Sequence, residues 1–137
     1  MAWMGPFGYV LAEKEAGVRA IATAKYDEKP IYHAIVVAQP GSGIERWPQD
    51  AEGKSISFAD IGTEIVWRSD PLPNDAIALS RNFAPELEVR VKEALLSLTP
   101  EQAAEILPDR YTGFVEGDSE TYAPIREAAQ ALDVLEE

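Results

Sequence analysis

The sequence predicts an α/β domain with helices layered on a sheet, and three observations carry that reading. The first half alternates short runs rich in Val, Ile, Ala and Thr with turns rich in Gly and Pro, the pattern of strands. The second half carries apolar residues at helical spacing. The 137 residues are 46% hydrophobic, with three Trp, five Tyr and four Phe, enough for one core in a single domain over residues 1–137.

Ala2 to Met4 reads as a strand that Gly5-Pro6 breaks, and Phe7 to Ala16 as a helix stopped by Gly17. Val18 to Ala24 reads as a strand, and Lys25 to Pro30 as a polar turn. Ile31 to Ala38 is the strongest strand signal. It is nearly continuous, so burial on both faces is expected. Gln39 to Gly43 is a loop, and Ile44 to Gln49 a short helix limited by Pro48. Ser55 to Ala59, with alternating Ile56 and Phe58, predicts a strand. Ile61-Gly62-Thr63 is a joint, and Glu64 to Arg68 the next strand. Asp70 to Asp75, with two prolines, is a rigid turn before a strand from Ala76 to Ser80.

Pro85 suits a first helical position, and Leu87, Val91, Leu95 and Leu98 then line one helix face. Thr99-Pro100-Glu101-Gln102 has a capping-box pattern and opens a short helix that stops at Pro108. Tyr111 to Val115 is extended. Ser119 or Thr121 is the expected cap of a last helix with the stripe Ile125, Ala128, Ala129, Leu132 and Leu135. There is no internal repeat and no low-complexity linker.

Charge and composition exclude several functions. The net charge is -12, so duplex DNA and anionic membranes, which need a cationic face, are poor partners. The acid is concentrated late: residues 69–137 hold 15 acidic against 5 basic side chains, read as a solvated helical surface. The absence of Cys excludes a disulfide scaffold, a thiolate zinc site and a Cys nucleophile. His33 is the one histidine, so no multi-His metal site is expected and no cofactor is implied. No apolar run is long enough to span a bilayer. The opening lacks the basic region and longer apolar stretch of a signal peptide. A start inside a strand predicts a fragment.

No catalytic constellation emerges. His33, mid-strand beside Tyr32, is either an acid/base group or a strand histidine with one satisfied nitrogen, and the second reading weighs more. Asp70 and Asp75 are either a carboxylate pair or turn residues bonding their own backbone, and again the second is favoured. Ser42 between two glycines fits an anion nest or a plain loop. Trp3, Trp47 and Trp67 suit packing better than a base-stacking platform. Neither a Walker motif nor GxGxxG is present.

Seven stretches resemble one family: Ala2-Trp3-Met4-Gly5-Pro6-Phe7-Gly8-Tyr9-Val10, Ile31-Tyr32-His33-Ala34-Ile35-Val36-Val37-Ala38, Ser42-Gly43-Ile44, Gly53 to Asp60, Ser69-Asp70-Pro71-Leu72-Pro73-Asn74-Asp75-Ala76-Ile77-Ala78, Tyr111-Thr112-Gly113-Phe114-Val115 and Tyr122-Ala123-Pro124-Ile125. In this order they are similar to the phosphonate/phosphite substrate-binding proteins of ABC transporters. The resemblance implies a periplasmic-binding-protein lobe of the type II kind, with a mixed sheet and helices packed on it. It implies a non-enzymatic role: binding a phosphonate, phosphite or phosphate-like oxyanion in the periplasm for delivery to an ABC permease.

The chain departs from the family twice. Nothing matches the family's first βαβα portion, and the second lobe is expected to have been excised near residues 60–64, where the family's Ser/Thr-rich helix start would follow. The part that matches the first-lobe half of the cleft is Gly5, Pro6, Phe7 and Tyr9, with Tyr9 the expected hydroxyl donor, and Tyr32 and His33 near the former hinge. The expectation is therefore weak or lost binding by this chain alone. Strands left without neighbours further predict a homo-oligomer, or a structural self-associating module with no ligand.

Overall fold

The computed structural model describes residues 1–55 and 62–135, which fall into two compact units: residues 1–32 with 72–137, and residues 33–71.

The first unit is built on a four-stranded sheet. β1 (Ala2–Met4) and β2 (Arg19–Tyr26) flank β7 (Ala76–Leu79), and β8 (Tyr111–Glu116) pairs with the other side of β2, giving the order β1-β7-β2-β8. β7 is buried along its length because it is central and covered on both faces. The α/β layered class is as expected, but every described pairing is antiparallel where a mixed sheet was anticipated. β2 runs two residues longer than its apolar stretch suggests, since Lys25 and Tyr26 still pair with Gly113 and Tyr111.

Helices cover the two faces. α1 (Pro6–Ala16) and α4 (Ala123–Ala131) contribute Tyr9, Val10, Ile125 and, from the turn ahead of α4, Tyr122 to one core with Ala20, Ala76 and Ala78. On the other face α2 (Pro85–Leu96) and α3 (Pro100–Ile106) cover Ile21, Ala22, Ile77, Leu79 and Phe114 through Val91, Leu95, Leu98 and Leu107. Small residues on β2 and β7 let both layers approach the sheet closely. Leu87 is exposed, so the half-buried stripe of α2 begins a turn later than its spacing predicts, with Phe83 ahead of it.

The caps follow local chemistry. Gly17 ends α1 in the left-handed conformation at φ 63, and its amide bonds Glu13 O. The Thr99/Gln102 capping box is present. The cap before the last helix differs from expectation. Asp118 Oδ1 accepts from Thr121 N at 3.0 Å and Thr121 Oγ1 accepts from Asp118 N, so neither Ser119 nor Thr121 caps alone. α4 stops at Ala131, leaving Leu132 exposed; Tyr122, Ile125 and Ala129 form the buried stripe.

β3 (Ile31–Tyr32) and β6 (Leu72–Pro73) pair at the margin of this unit, Tyr32 opposite Leu72. The second unit is an antiparallel ribbon of β4 (Ile35–Ala38) and β5 (Glu64–Arg68) with loops. The single buried strand expected over Ile31 to Ala38 is thus two short strands, interrupted at His33 and Ala34. Only Ala38 is buried, because a two-stranded ribbon has little to bury against. Residues 44–49 form turns rather than a helix. The strand expected over Ser55 to Ala59 lies outside the described residues from position 56 onward.

Candidate functional site

Three distant segments meet at the turn entering β7. Trp3 Nε1 donates to Asp75 Oδ2 at 2.8 Å, and Tyr111 Oη donates to the same oxygen at 3.0 Å. The Trp3 ring also packs edge-on against Tyr111 and Phe114, centroids 4.9 and 5.5 Å away. Tyr122 Oη donates to Asn74 O and lies 3.0 Å from Thr23 Oγ1. A phenol has one proton and a carbonyl only accepts, so Thr23 is the donor in that second bond. Burial pushes the Tyr122 hydroxyl up to about 12, with the nearby Asp75 carboxylate adding to the rise against the Thr23 bond. Asp75 is thus a structural acceptor. It belongs to the first unit and Asp70 to the second.

The Gly5-to-Tyr9 segment leaves the same end of β1. Gly5 is the N-cap of α1 and Pro6 its first residue, and no side chain caps the helix. Gly5, Phe7 and Gly8 are exposed, and no acidic residue lies in the first turn. An uncapped helix start presents unpaired N–H groups, here those of Phe7 and Gly8, and the positive end of the helix dipole. This is the one element among the predicted site residues with the electrostatics of an anion seat.

Tyr9 does not share that position. It is fully buried, its hydroxyl donates to Glu13 Oε1 at 2.5 Å and accepts from Ala20 N at 3.2 Å, and its ring lies 4.6 Å from that of Tyr122. Burial, then the Glu13 bond, holds this phenol far above its ordinary range. The Tyr9 hydroxyl is occupied inside the core rather than offered to a ligand. Helical periodicity could have shown this: Tyr9 and Val10 face the sheet while Phe7 and Gly8 face water. Glu13 in turn bonds Arg126 Nη2 at 2.6 Å, which also reaches Ser119, tying α1 to α4. Burial opposes ionisation of Glu13, but the bonds from Tyr9, Arg126 and Ser119 outweigh it and hold the carboxyl below its usual value.

Tyr32 is exposed, and its side chain makes no hydrogen bond among the described residues. His33 belongs to the second unit. Its Nδ1 lies 2.9 Å from Ser69 O, so Nδ1 carries the proton and Nε2 is left over. Ser42 Oγ accepts from Ile44 N at 3.4 Å, a local loop bond. Among the described residues there is no group of acidic or histidine side chains fit to hold a metal, and no helix long and apolar enough to cross a membrane.

A sheet covered by helices on both faces, with an uncapped helix start at one sheet end, is consistent with a lobe of the substrate-binding-protein kind. The model of the phosphonate ABC-transporter periplasmic substrate-binding proteins matches residues 1–63 and 61–122, and the chain belongs to that family. It is a family of transport proteins and not of enzymes, and its members work in the periplasm.

Proposed function

We propose that this chain is a reduced solute-binding protein, part of a first lobe, that engages a small phosphorus oxyanion weakly at the start of α1. The carrying observation is the uncapped, solvent-open turn Gly5-Pro6-Phe7-Gly8 in a chain of the phosphonate-binding family. The family match falls in two pieces that meet at residues 61–63, which supports excision of a second lobe there. An oxyanion in such a half-site stays open to water, and each amide bond is then worth about 1 kcal/mol net, giving affinity of about millimolar or weaker. The net charge of -12 repels an anion further. Tyr32, in the same unit, is proposed as a secondary contact, and the family's ABC permease as the macromolecular partner in the periplasm.

Calorimetric titration with phosphite, methylphosphonate, 2-aminoethylphosphonate and phosphate tests this. Weak saturable heat that disappears in Gly8→Asp and persists in Tyr9→Phe supports it. The added carboxylate repels the anion and favours the helix, and nothing lies within 4 Å of a Cβ at Gly8. Tyr32→Phe tests the secondary contact. No heat with any of the four, or binding indifferent to Gly8→Asp, overturns the α1 site.

A second reading, a self-associating module, is favoured by one observation. The ribbon exposes Ile35, Ile65 and Trp67, at 51%, 62% and 39%. Such a surface on a two-stranded ribbon invites a second copy.

A further inference from the structure

We propose that the pocket between β1 and the ends of α2 and α3 is a binding site for a small neutral apolar molecule, one or two rings in size. The pocket is on the sheet face opposite α1, so it is separate from the oxyanion site and does not rest on that reading.

Its volume is about 250 Å³. The buried Ile77 and Phe114 line it from the sheet, and Leu95, Leu98 and Leu107 from the helix side. Two helix ends frame the space. The Thr99/Gln102 capping box sets where α3 begins after α2, and Pro108 holds Leu107 extended, so α3 stops at Ile106. The gap is thus fixed by where the backbone turns. Trp3 and Ile106 are exposed members of the lining, Ile106 at 66%. Large apolar side chains held in water at the edge of an apolar pocket are the surface that a guest covers.

The lining and the charge define the chemistry of the guest. Every described lining residue is apolar, and the indole N–H of Trp3 is the one polar side-chain group among them. That N–H is committed to Asp75 Oδ2 at 2.8 Å, and the Tyr111 hydroxyl donates to the same oxygen. A polar guest would give up its bonds to water and find no side-chain partner in return. The net charge of -12 acts against an anion as well. Size sets the other limit. An apolar cavity of ~150 Å³ stays dry and takes benzene, so one of about 250 Å³ has room for a second ring.

Titration of the whole chain with toluene, naphthalene and 2-naphthoate, followed by calorimetry and methyl NMR, tests this. Toluene and naphthalene are expected to bind saturably, naphthalene the tighter with Kd about 0.1 mM. The methyl shifts are expected to centre on Leu95, Leu98 and Leu107. The anion 2-naphthoate is expected to bind about tenfold more weakly than naphthalene, or less. Ile106→Trp, at an exposed position, and Leu98→Phe fill the space from two sides, and each is expected to weaken naphthalene about tenfold or more. The wild-type methyl map decides the site even where a variant folds poorly. No saturable binding to the wild type, shifts centred elsewhere, or indifference to Ile106→Trp in a folded protein each overturns the proposal. So does 2-naphthoate bound as tightly as naphthalene. Naphthalene binding that fades as dimers form at rising protein concentration would give the pocket to a second copy, and overturns it too.

Discussion

Trp3 and Asp75 are 72 residues apart in sequence, and a 2.8 Å bond from the indole N–H to the carboxylate joins them. That bond ties the opening Ala-Trp-Met-Gly-Pro segment to the Pro-Leu-Pro-Asn-Asp turn, and Tyr111 and Tyr122 bring two further motifs to the same turn. The segments that most distinctively mark the family are thus, in large part, ones that hold the sheet end together.

Asp75→Ala removes one acceptor from two donors, Trp3 and Tyr111. The expected loss is about 1–3 kcal/mol in urea unfolding, with a red shift in Trp emission as Trp3 loosens. A Trp3→Phe/Asp75→Ala double-mutant cycle is expected to show coupling. Strict additivity would mean the bond contributes nothing.

Gly117→Ala is expected to be among the most damaging single changes. A Cβ at Gly117 would overlap Thr23 Oγ1 and lie 3.0 Å from Thr23 N, so the buried Thr23 or the strand beside it must shift. The loss should reach about 2 kcal/mol or more, read from the denaturation midpoint.

Alkaline titration followed at 295 nm should separate the tyrosines. Tyr9 and Tyr122 are fully buried, and burial raises both hydroxyls, Tyr122 to about 12. A raised folded value means that their stabilisation is intact below the ordinary phenol value of 10.0 and is lost as pH climbs through the folded value. Tyr9 and Tyr122 should therefore ionise only together with cooperative unfolding. Ionisation of either hydroxyl near the ordinary value in the folded chain would contradict the buried placement.

Acid destabilisation follows from the opposite sign. Bonds from Tyr9, Arg126 and Ser119 outweigh burial to keep Glu13 low. Arg110 lowers Asp27, Arg19 lowers Glu88, and the Thr121 amide lowers Asp118. A lowered folded value gives stabilisation that is present above the unfolded value and lost as pH falls through the folded one. The urea midpoint should hold from neutrality to about pH 5, where relief of self-repulsion helps, and fall below about pH 4. Glu13→Gln should make that fall shallower.

Much of the first unit was legible because its signals are local. Gly17 stops α1, Pro85 starts α2, and Thr99 with Gln102 caps α3, each acting within one turn of chain. The ribbon was misread because Ile31 to Ala38 has the composition of a buried strand, and burial depends on neighbours that lie elsewhere in sequence. Around the candidate site, the start of α1 at Gly5-Pro6 was legible and the burial of Tyr9 was not. A tyrosine beside a glycine turn looks like a hydroxyl donor until Glu13 and the Ala20 amide are known to claim that hydroxyl. The backbone bonding expected of Asp75 as a turn residue is replaced by side-chain bonds from Trp3 and Tyr111, which are long-range and left no local signal.

Tyr32 and Leu72 face each other across the β3–β6 pair, so the polypeptide leaves the first unit and returns to it at neighbouring points. Everything between them is therefore an insertion held by a two-point stalk. Its length can change with only a logarithmic cost in closure entropy while β1, β2, β7 and β8 keep their register. Position 32/72 is in that sense an exchange port. A whole lobe, a ribbon, or an unrelated sensor domain can be spliced there, and the helix-clad sheet beneath should fold on the same terms.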